Sequence, residues 1–149
     1  QLEDRIEYHE YDDFGNPLEV SKADGTHIVY IWGYNHTQPI AKIENITYQE
    51  VQSYVSGLQL LSDADIDHCT GSNCTEQPLR DALNNLRVSL PKALVSTYTY
   101  DPLIGVTSMT DARGQTVHYE YDEFNRLKHV KDEDGNILSE NQYHYSTQN

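Results

Sequence analysis

The sequence predicts a mainly β fold, with antiparallel hairpins building a curved sheet or shell segment that carries an inserted α-helical hairpin. Three observations predict it: Tyr-Asp dipeptides recur with a fixed glycine offset, the segments between them alternate with period two, and the middle of the chain changes to a helical period.

The repeat is read from Tyr11-Asp12, Tyr100-Asp101 and Tyr121-Asp122, each followed fourteen positions after the tyrosine by a glycine: Gly25, Gly114 and Gly135. Six and nine positions after the tyrosine stand Pro17 and Val20, Val106 and Met109, Leu127 and Val130. Further on come Tyr30 and Trp32, then Tyr119 and Tyr121, and in the last copy Tyr143 and Tyr145, three residues late. Asp24-Gly25 and Asp134-Gly135 read as two-residue type I′ turns, whose central positions both need positive φ, with Arg113-Gly114 a poorer version. After the turn, Val117, Tyr119 and Tyr121 share one face, taken as inward, and His118, Glu120 and Asp122 share the other. Thr26–Trp32 turns apolar on both faces towards its end, the pattern of a strand covered on both sides.

Between the repeats, Thr47-Tyr48-Gln49-Glu50 reads as a capping box, and Val51, Tyr54, Val55, Leu58 and Leu61 follow at helical spacing. A second helix is predicted over 76–90, with Pro78 in its first turn, Leu79, Leu83, Leu86 and Leu90 as one stripe, and Pro91 as its stop. The chain thus divides into hairpins at 1–46, a helical insertion with a cysteine loop at 47–92, and hairpins at 93–149. Two short amphipathic helices in this position are expected to cap a sheet edge or a shell opening.

Composition narrows the function classes. The 149 residues include twelve Tyr against two Phe and one Trp, so much of the packing must use rings whose hydroxyls need water or a partner. A net charge of -14, spread over all three segments, argues against nucleic acid or an anionic membrane as partner. No apolar run approaches the roughly 18 residues of a membrane span, and the first residues lack a signal-peptide pattern. Both ends fall inside patterned sequence, which suggests a piece of a longer polypeptide.

The candidate sites are few. Cys69 and Cys74, five positions apart in number, favour a local disulfide over free thiols or a metal site, since His68 is too close in sequence to complete a zinc shell. A disulfide would point to an extracytoplasmic location. Asp132-Glu133-Asp134-Gly135-Asn136 fails the EF-hand spacing, because Ile137 and Tyr143 stand where glycine and glutamate belong. Asp63, Asp65 and Asp67 form a looser acidic cluster. The histidines at 9, 27, 36, 68, 118, 129 and 144 show no ligand spacing and no nucleophile motif, and are expected on sheet surfaces. Asn35-His36-Thr37, Asn45-Ile46-Thr47 and Asn73-Cys74-Thr75 match the N-glycosylation pattern, which matters only in a eukaryotic secretory pathway.

The stretch YEYDEFNRLKHVKDEDGN, residues 119–136, resembles the YD repeat of the Rhs family, shared by Tc-toxin C components and teneurins. DDFGNPLEV (12–20), YIWGYNHTQPIAKIEN (30–45) and YTYDPLIGVTSMTDARG (98–114) resemble Rhs-repeat proteins of Bacteroidetes. Asn125 stands where that family usually has glycine, a mild departure because asparagine tolerates the left-handed region. The resemblance implies hairpins that spiral into a closed shell able to enclose a passenger polypeptide. The family's self-cleaving D-P-x-G-x-x-G pattern is not matched at Asp101-Pro102-Leu103-Ile104-Gly105, so no autoproteolysis, no other catalysis and no cofactor or metal is expected. The expected role is a non-enzymatic structural segment of a secreted or cell-surface bacterial protein, partnered by the remainder of a larger Rhs-type chain or by other subunits. Two alternatives stay open: an adhesin module binding glycan or protein, with Tyr30, Trp32 and Tyr34 as stacking residues, and a shell segment of a toxin-delivery protein.

Overall fold

The computed structural model describes residues 5–67 and 73–141. Among them the chain runs β1 (Ile6–Tyr11), β2 (Pro17–Lys22), β3 (His27–Gly33), β4 (Gln38–Glu44), α1 (Tyr48–Asp63), α2 (Glu76–Ser89), β5 (Leu94–Asp101), β6 (Gly105–Thr110), β7 (Thr116–Tyr121), β8 (Leu127–Asp132) and β9 (Ile137–Glu140). All nine strands form one antiparallel sheet in sequence order, so every neighbour in the chain is a neighbour in space. The helices interrupt the chain without interrupting the sheet: Glu44 at the end of β4 pairs directly with Leu94 at the start of β5.

The hairpins close by one recurring device. At Asp12, Asp111, Asp122 and Asp132 the residue's N–H donates to the carbonyl four positions on, and its own carbonyl accepts from the N–H three positions on. The carboxylate Oδ1 of each also accepts backbone N–H groups two and four positions later, at 2.8–3.0 Å. Only the fourth residue has positive φ: Gly15 (86°), Gly114 (86°), Asn125 (62°) and Gly135 (85°). This is a type I turn followed by a left-handed residue, the three-residue hairpin with a G1 bulge, and not the type I′ turn that the Asp-Gly pairs predict. Asp24 and Asp134 have no positive φ. The Asp24-Gly25 turn keeps the same backbone pattern with Lys22 in the leading position, and Asp24 bonds Thr26 N–H instead. Arg113-Gly114 is therefore no weaker than the others, because Asp111 supplies the carboxylate. Asn125 takes the left-handed conformation expected of it. The side-chain and backbone donors of Asn136 hold the Asp132 carboxyl below its ordinary range.

Strand register advances by a constant step across the sheet. Tyr8 pairs with Val20 and Val20 with Ile28, but the next tyrosine, Tyr30, lies two residues beyond Ile28. Tyr30 leads through Lys42 to Ser96, and Tyr98 lies two residues beyond. Tyr98 leads through Met109 to Val117, and Tyr119 again lies two beyond. The aromatic positions advance by two residues per hairpin, or about one per strand, the stagger at which closed barrels such as the eight-stranded, shear-eight form are built. Bulges in the β1–β2, β3–β4, β5–β6 and β7–β8 ladders add local bends.

The helices lie over the centre of one sheet face and not at an edge. Val51, Val55 and Leu58 of α1 and Leu79, Leu83 and Leu86 of α2 are buried against Val29, Ile31, Ala41, Ile43 and Val95. The predicted capping box is present, Thr47 N–H donating to Glu50 Oε1 at 3.2 Å, and Glu19 of β2 adds a carboxylate that accepts Tyr48 N–H at 2.7 Å. α1 closes on β3 at Gly33, where a Cβ would sit 2.3 Å from Ser62 Oγ. Arg87 ties α2 to β5 through Val95 O at 3.1 Å and Thr97 Oγ1 at 2.8 Å. Beyond the helices the same face is built from buried hydroxyls: Thr99 bonds Thr107 at 2.9 Å, and Thr110 bonds Thr116 at 2.7 Å.

This placement reverses the expected inside and outside of the hairpins. His118, read as an outward residue, shares its face with Ser108 and Thr116 beside α2, and burial with the Arg80 charge pushes its imidazole pKa down. Tyr119 and Tyr121, read as inward, lie on the face that carries no helix. β3 is likewise covered by helices on the Val29 and Ile31 side only.

Candidate functional site

The helix-free face concentrates the aromatic residues. Each odd strand from β1 to β7 contributes a pair, Tyr8 and Tyr11, Tyr30 and Trp32, Tyr98 and Tyr100, Tyr119 and Tyr121. In three of these pairs the second ring reaches back over the preceding even strand and donates to a carbonyl near that strand's start. Trp32 Nε1–H meets Pro17 O at 2.8 Å, Tyr100 Oη–H meets Pro39 O at 2.8 Å, and Tyr121 Oη–H meets Val106 O at 2.7 Å. Gly105 has no side chain where Tyr121 crosses it: a Cβ there would lie 2.9 Å from the Tyr121 oxygen. The rings therefore lie across the sheet, each binding its hairpin to the one before. Burial raises the hydroxyl pKa values of Tyr30, Tyr98, Tyr100 and Tyr121, so at neutral pH all four stay as hydrogen-bond donors.

The sequence contains the positions of this interlock but not its bonds. Tyr11, Tyr100 and Tyr121 end odd strands or lie one residue before the end; Asp12 and Asp122 lead G1-bulge turns; Gly25, Gly114 and Gly135 take the left-handed position of the opposite turns. Asp101 leads a turn of the same span, its carbonyl accepting Ile104 N–H and its carboxylate Leu103 N–H, both at 3.0 Å, but the positive φ falls one residue later, at Gly105 (151°). Tyr30 and Trp32 are on the open face, half-buried, with ring centroids 6.5 Å apart. Tyr34 is not with them: it is buried, its Oη–H donates to Asp65 at 2.6 Å and its ring meets Tyr100 edge-on. It has no free face for a ligand.

The hydroxyl interlock predicts a measurable increment. Tyr121→Phe is expected to lower the urea unfolding midpoint by the equivalent of about 1 kcal/mol, the net worth of one such bond. Tyr11→Phe, whose ring is exposed at the first strand, leaves the midpoint unchanged. Equal effects of the two would show that ring burial alone sets this face.

The acidic and histidine candidates do not converge. Asp63 accepts Asn35 N–H at 2.7 Å, Asp65 accepts Tyr34 and Thr75 hydroxyls, and Asp67 accepts Thr75 N–H at 2.9 Å. Three carboxylates engaged by different donors leave no common cavity for a cation, and among the described residues no group of three His, Cys, Asp or Glu is arranged to hold a metal. His9 bonds Ser21, His27 bonds Glu19, His36 stacks on Phe14, and His129 bonds Glu140. A polar cleft of about 440 Å³ runs between α2 and the β7–β8 hairpin, lined by Arg80, His118, Glu120 and Lys131, in which Lys131 is already paired to Glu120 at 3.0 Å. Cys74 is buried ahead of α2, while Cys69, His68, Tyr143, His144 and Tyr145 lie outside the described residues. Among the described residues no helix is long and apolar enough to cross a membrane.

No curated protein matches the chain. Residues 105–137 match the family model of the RHS Repeat. That span starts at Gly105 and runs through β6, β7, β8 and the β8–β9 turn, so the match covers three consecutive strands with the turns that follow them. The same carboxylate turn at Asp12 and the same back-reaching ring at Trp32 and Tyr100 recur outside it. Residues 105–137 thus carry an RHS repeat, and the hairpins around it are built on the same turn and ring pattern.

Proposed function

We propose that this chain is a non-enzymatic structural segment of a larger secreted or cell-surface RHS-repeat protein, in which its hairpins build part of a curved β-shell. The observation that carries this reading is the periodic interlock: Trp32, Tyr100 and Tyr121 each bond the preceding hairpin while the register advances by a constant step. A unit that binds its predecessor in this way extends without limit, and it cannot satisfy its own edges. Among the described residues the outermost strands are β1 and β9, and every residue of both is exposed. Further repeats or other subunits are the natural occupants of those edges. RHS-repeat proteins are typically extracellular or cell-surface, and a Cys69–Cys74 disulfide, proposed here as a staple of the loop between the helices, fits an oxidising location. The three segments 1–46, 47–92 and 93–149 then act as two runs of repeats and a cover.

The test is extension. Duplicating residues 101–121 in tandem should add two strands in register, raise the denaturant m-value with the added buried surface, and protect the new amides from hydrogen exchange. A duplicate that stays protease-sensitive and unprotected would refute the scaffold reading.

A further inference from the structure

Six hairpin turns share one frame, in which the first residue's carbonyl accepts the N–H of the fourth: those led by Asp12, Lys22, Asp101, Asp111, Asp122 and Asp132. The third residue of such a turn carries no bond of the frame, and its backbone position is open to most residue types. Because the strands follow sequence order, successive turns fall at alternate ends of the sheet. At one end the third place holds Asp24, Arg113 and Asp134, polar side chains suited to water. At the other end it holds Phe14, Leu103 and Phe124, which are 67%, 93% and 62% exposed. The same turn thus carries polar tips at one end and large apolar tips at the other. Neither the turn nor the core calls for the apolar ones.

These tips form one row. Phe14 stacks on His36 of the β3–β4 turn at 4.5 Å. Asn35 of that turn and Leu103 border one cavity of about 310 Å³, which Ile66, also exposed, helps to line. Phe124 is the next tip along, with Arg126 Cζ 5.2 Å from its ring centroid. Strands lie about 4.8 Å apart, so the six strand spacings from the Phe14 tip to the Phe124 tip cover about 29 Å.

We propose that this row is a docking rim for a basic, amphipathic segment of a partner protein. The charge beside the apolar tips selects that occupant. The turns of the row contribute Asp12, Asp13, Asp101, Asp122 and Glu123, and Asp63 joins them by accepting Asn35 N–H. Their one permanent cation, Arg126, is held by Asp122 at 3.0 Å, and His36 lies 3.6 Å from Asp12. A second copy of this chain or an anionic bilayer would bring more negative charge to the contact and be repelled. A segment with Lys or Arg on either side of an apolar stripe satisfies both features, its stripe covering Phe14, Leu103 and Phe124 and its cations meeting the carboxylates. Sheet growth through β1 and β9 runs sideways and leaves the row uncovered, so this contact stands apart from the aromatic interlock.

The test uses the full chain and a fluorescent peptide of about 20 residues, long enough as a helix to cross about 30 Å, with a leucine stripe flanked by lysines. Anisotropy titration is expected to saturate at one peptide per chain, with an affinity that falls as salt is added. The triple variant Phe14→Ser, Leu103→Ser, Phe124→Ser keeps every charge and leaves the core untouched. It should melt with the parent and bind at least about tenfold more weakly. Asp13→Lys with Glu123→Lys should weaken binding by a similar factor and improve it for the same stripe flanked by glutamates. Arg113→Ser with Asp134→Ser, at the opposite end, should change nothing. Parent affinity in the triple variant would reduce the contact to diffuse attraction between a cationic peptide and an acidic chain, and overturn the rim. Equal binding of the lysine- and glutamate-flanked peptides, or partition of the parent chain into phosphatidylcholine vesicles lost in the triple variant, would overturn it too, the latter in favour of a membrane contact.

Discussion

Replacing residues 45–93 with a five-residue D-x-x-G-x turn is expected to abolish cooperative folding, even though the turn fits. The ends to be joined are already paired, Glu44 with Leu94, and the same turn closes hairpins elsewhere in the sheet. What the replacement removes is cover. Val29, Ile31, Ala41, Ile43 and Val95 have no exposed surface beneath the helices. Burying a Val or Ile side chain is worth about 1.5–3 kcal/mol, so stripping these five approaches the whole 5–15 kcal/mol stability of a typical domain. The expected readouts are loss of a thermal transition, dye binding to exposed apolar surface, and aggregation along the uncovered face. A shortened chain that melts cooperatively near the parent temperature would show that the aromatic face alone can hold the sheet.

The insertion thus serves as the hydrophobic core of a sheet whose repeats are poor in aliphatic residues, a relation that was only half legible in the sequence. Helical spacing at Leu79, Leu83 and Leu86 is visible without coordinates, and so is the Thr47 capping box. Their place over the sheet is not, because it depends on β4 and β5 being neighbours across forty-nine intervening residues. Period-two alternation likewise separates two faces of β7 but does not say which is covered. The aromatic face invites the inward reading, yet the helices lie on the side of Thr97, Thr99, Ser108 and Thr110, where buried hydroxyls bond one another and an apolar pattern is absent. The turns depart from the Asp-Gly expectation for a different reason. Asp-Gly is the strongest two-residue signal, but Asp12, Asp111, Asp122 and Asp132 each precede a glycine or asparagine by three positions, and that longer D-x-x-[GN] spacing specifies the carboxylate turn actually formed. Tyr34 could not be told from Tyr30 or Trp32 by type; the left-handed turn after Gly33 rotates it off the open face and into its hydrogen bond with Asp65.

Arg80→Ala is the point substitution with the largest expected cost, about 3–5 kcal/mol, read as a fall in urea midpoint at unchanged m-value. Glu76 is 1% exposed at the start of α2, and Arg80 one turn later is its cation. Thr107 also donates a hydroxyl to Glu76 from β6, a hydrogen bond that remains when the guanidinium is gone. A neutral donor cannot balance a carboxylate taken out of water, so the variant keeps the desolvation cost and loses the attraction that offset it. The helix N-terminus recovers part of that loss, which keeps the estimate below the cost of an isolated buried charge. The double variant Glu76→Gln with Arg80→Met removes both charges, retains an acceptor for Thr107, and should regain most of the stability lost by the single change. His118 reports on the same event independently: it is held below its ordinary value first by burial and then by the Arg80 charge, so its imidazole should titrate higher in both variants. A single Arg80→Ala change as mild as the double one, with His118 unmoved, would mean that Glu76 already reaches water and that α2 is anchored by its leucine stripe alone.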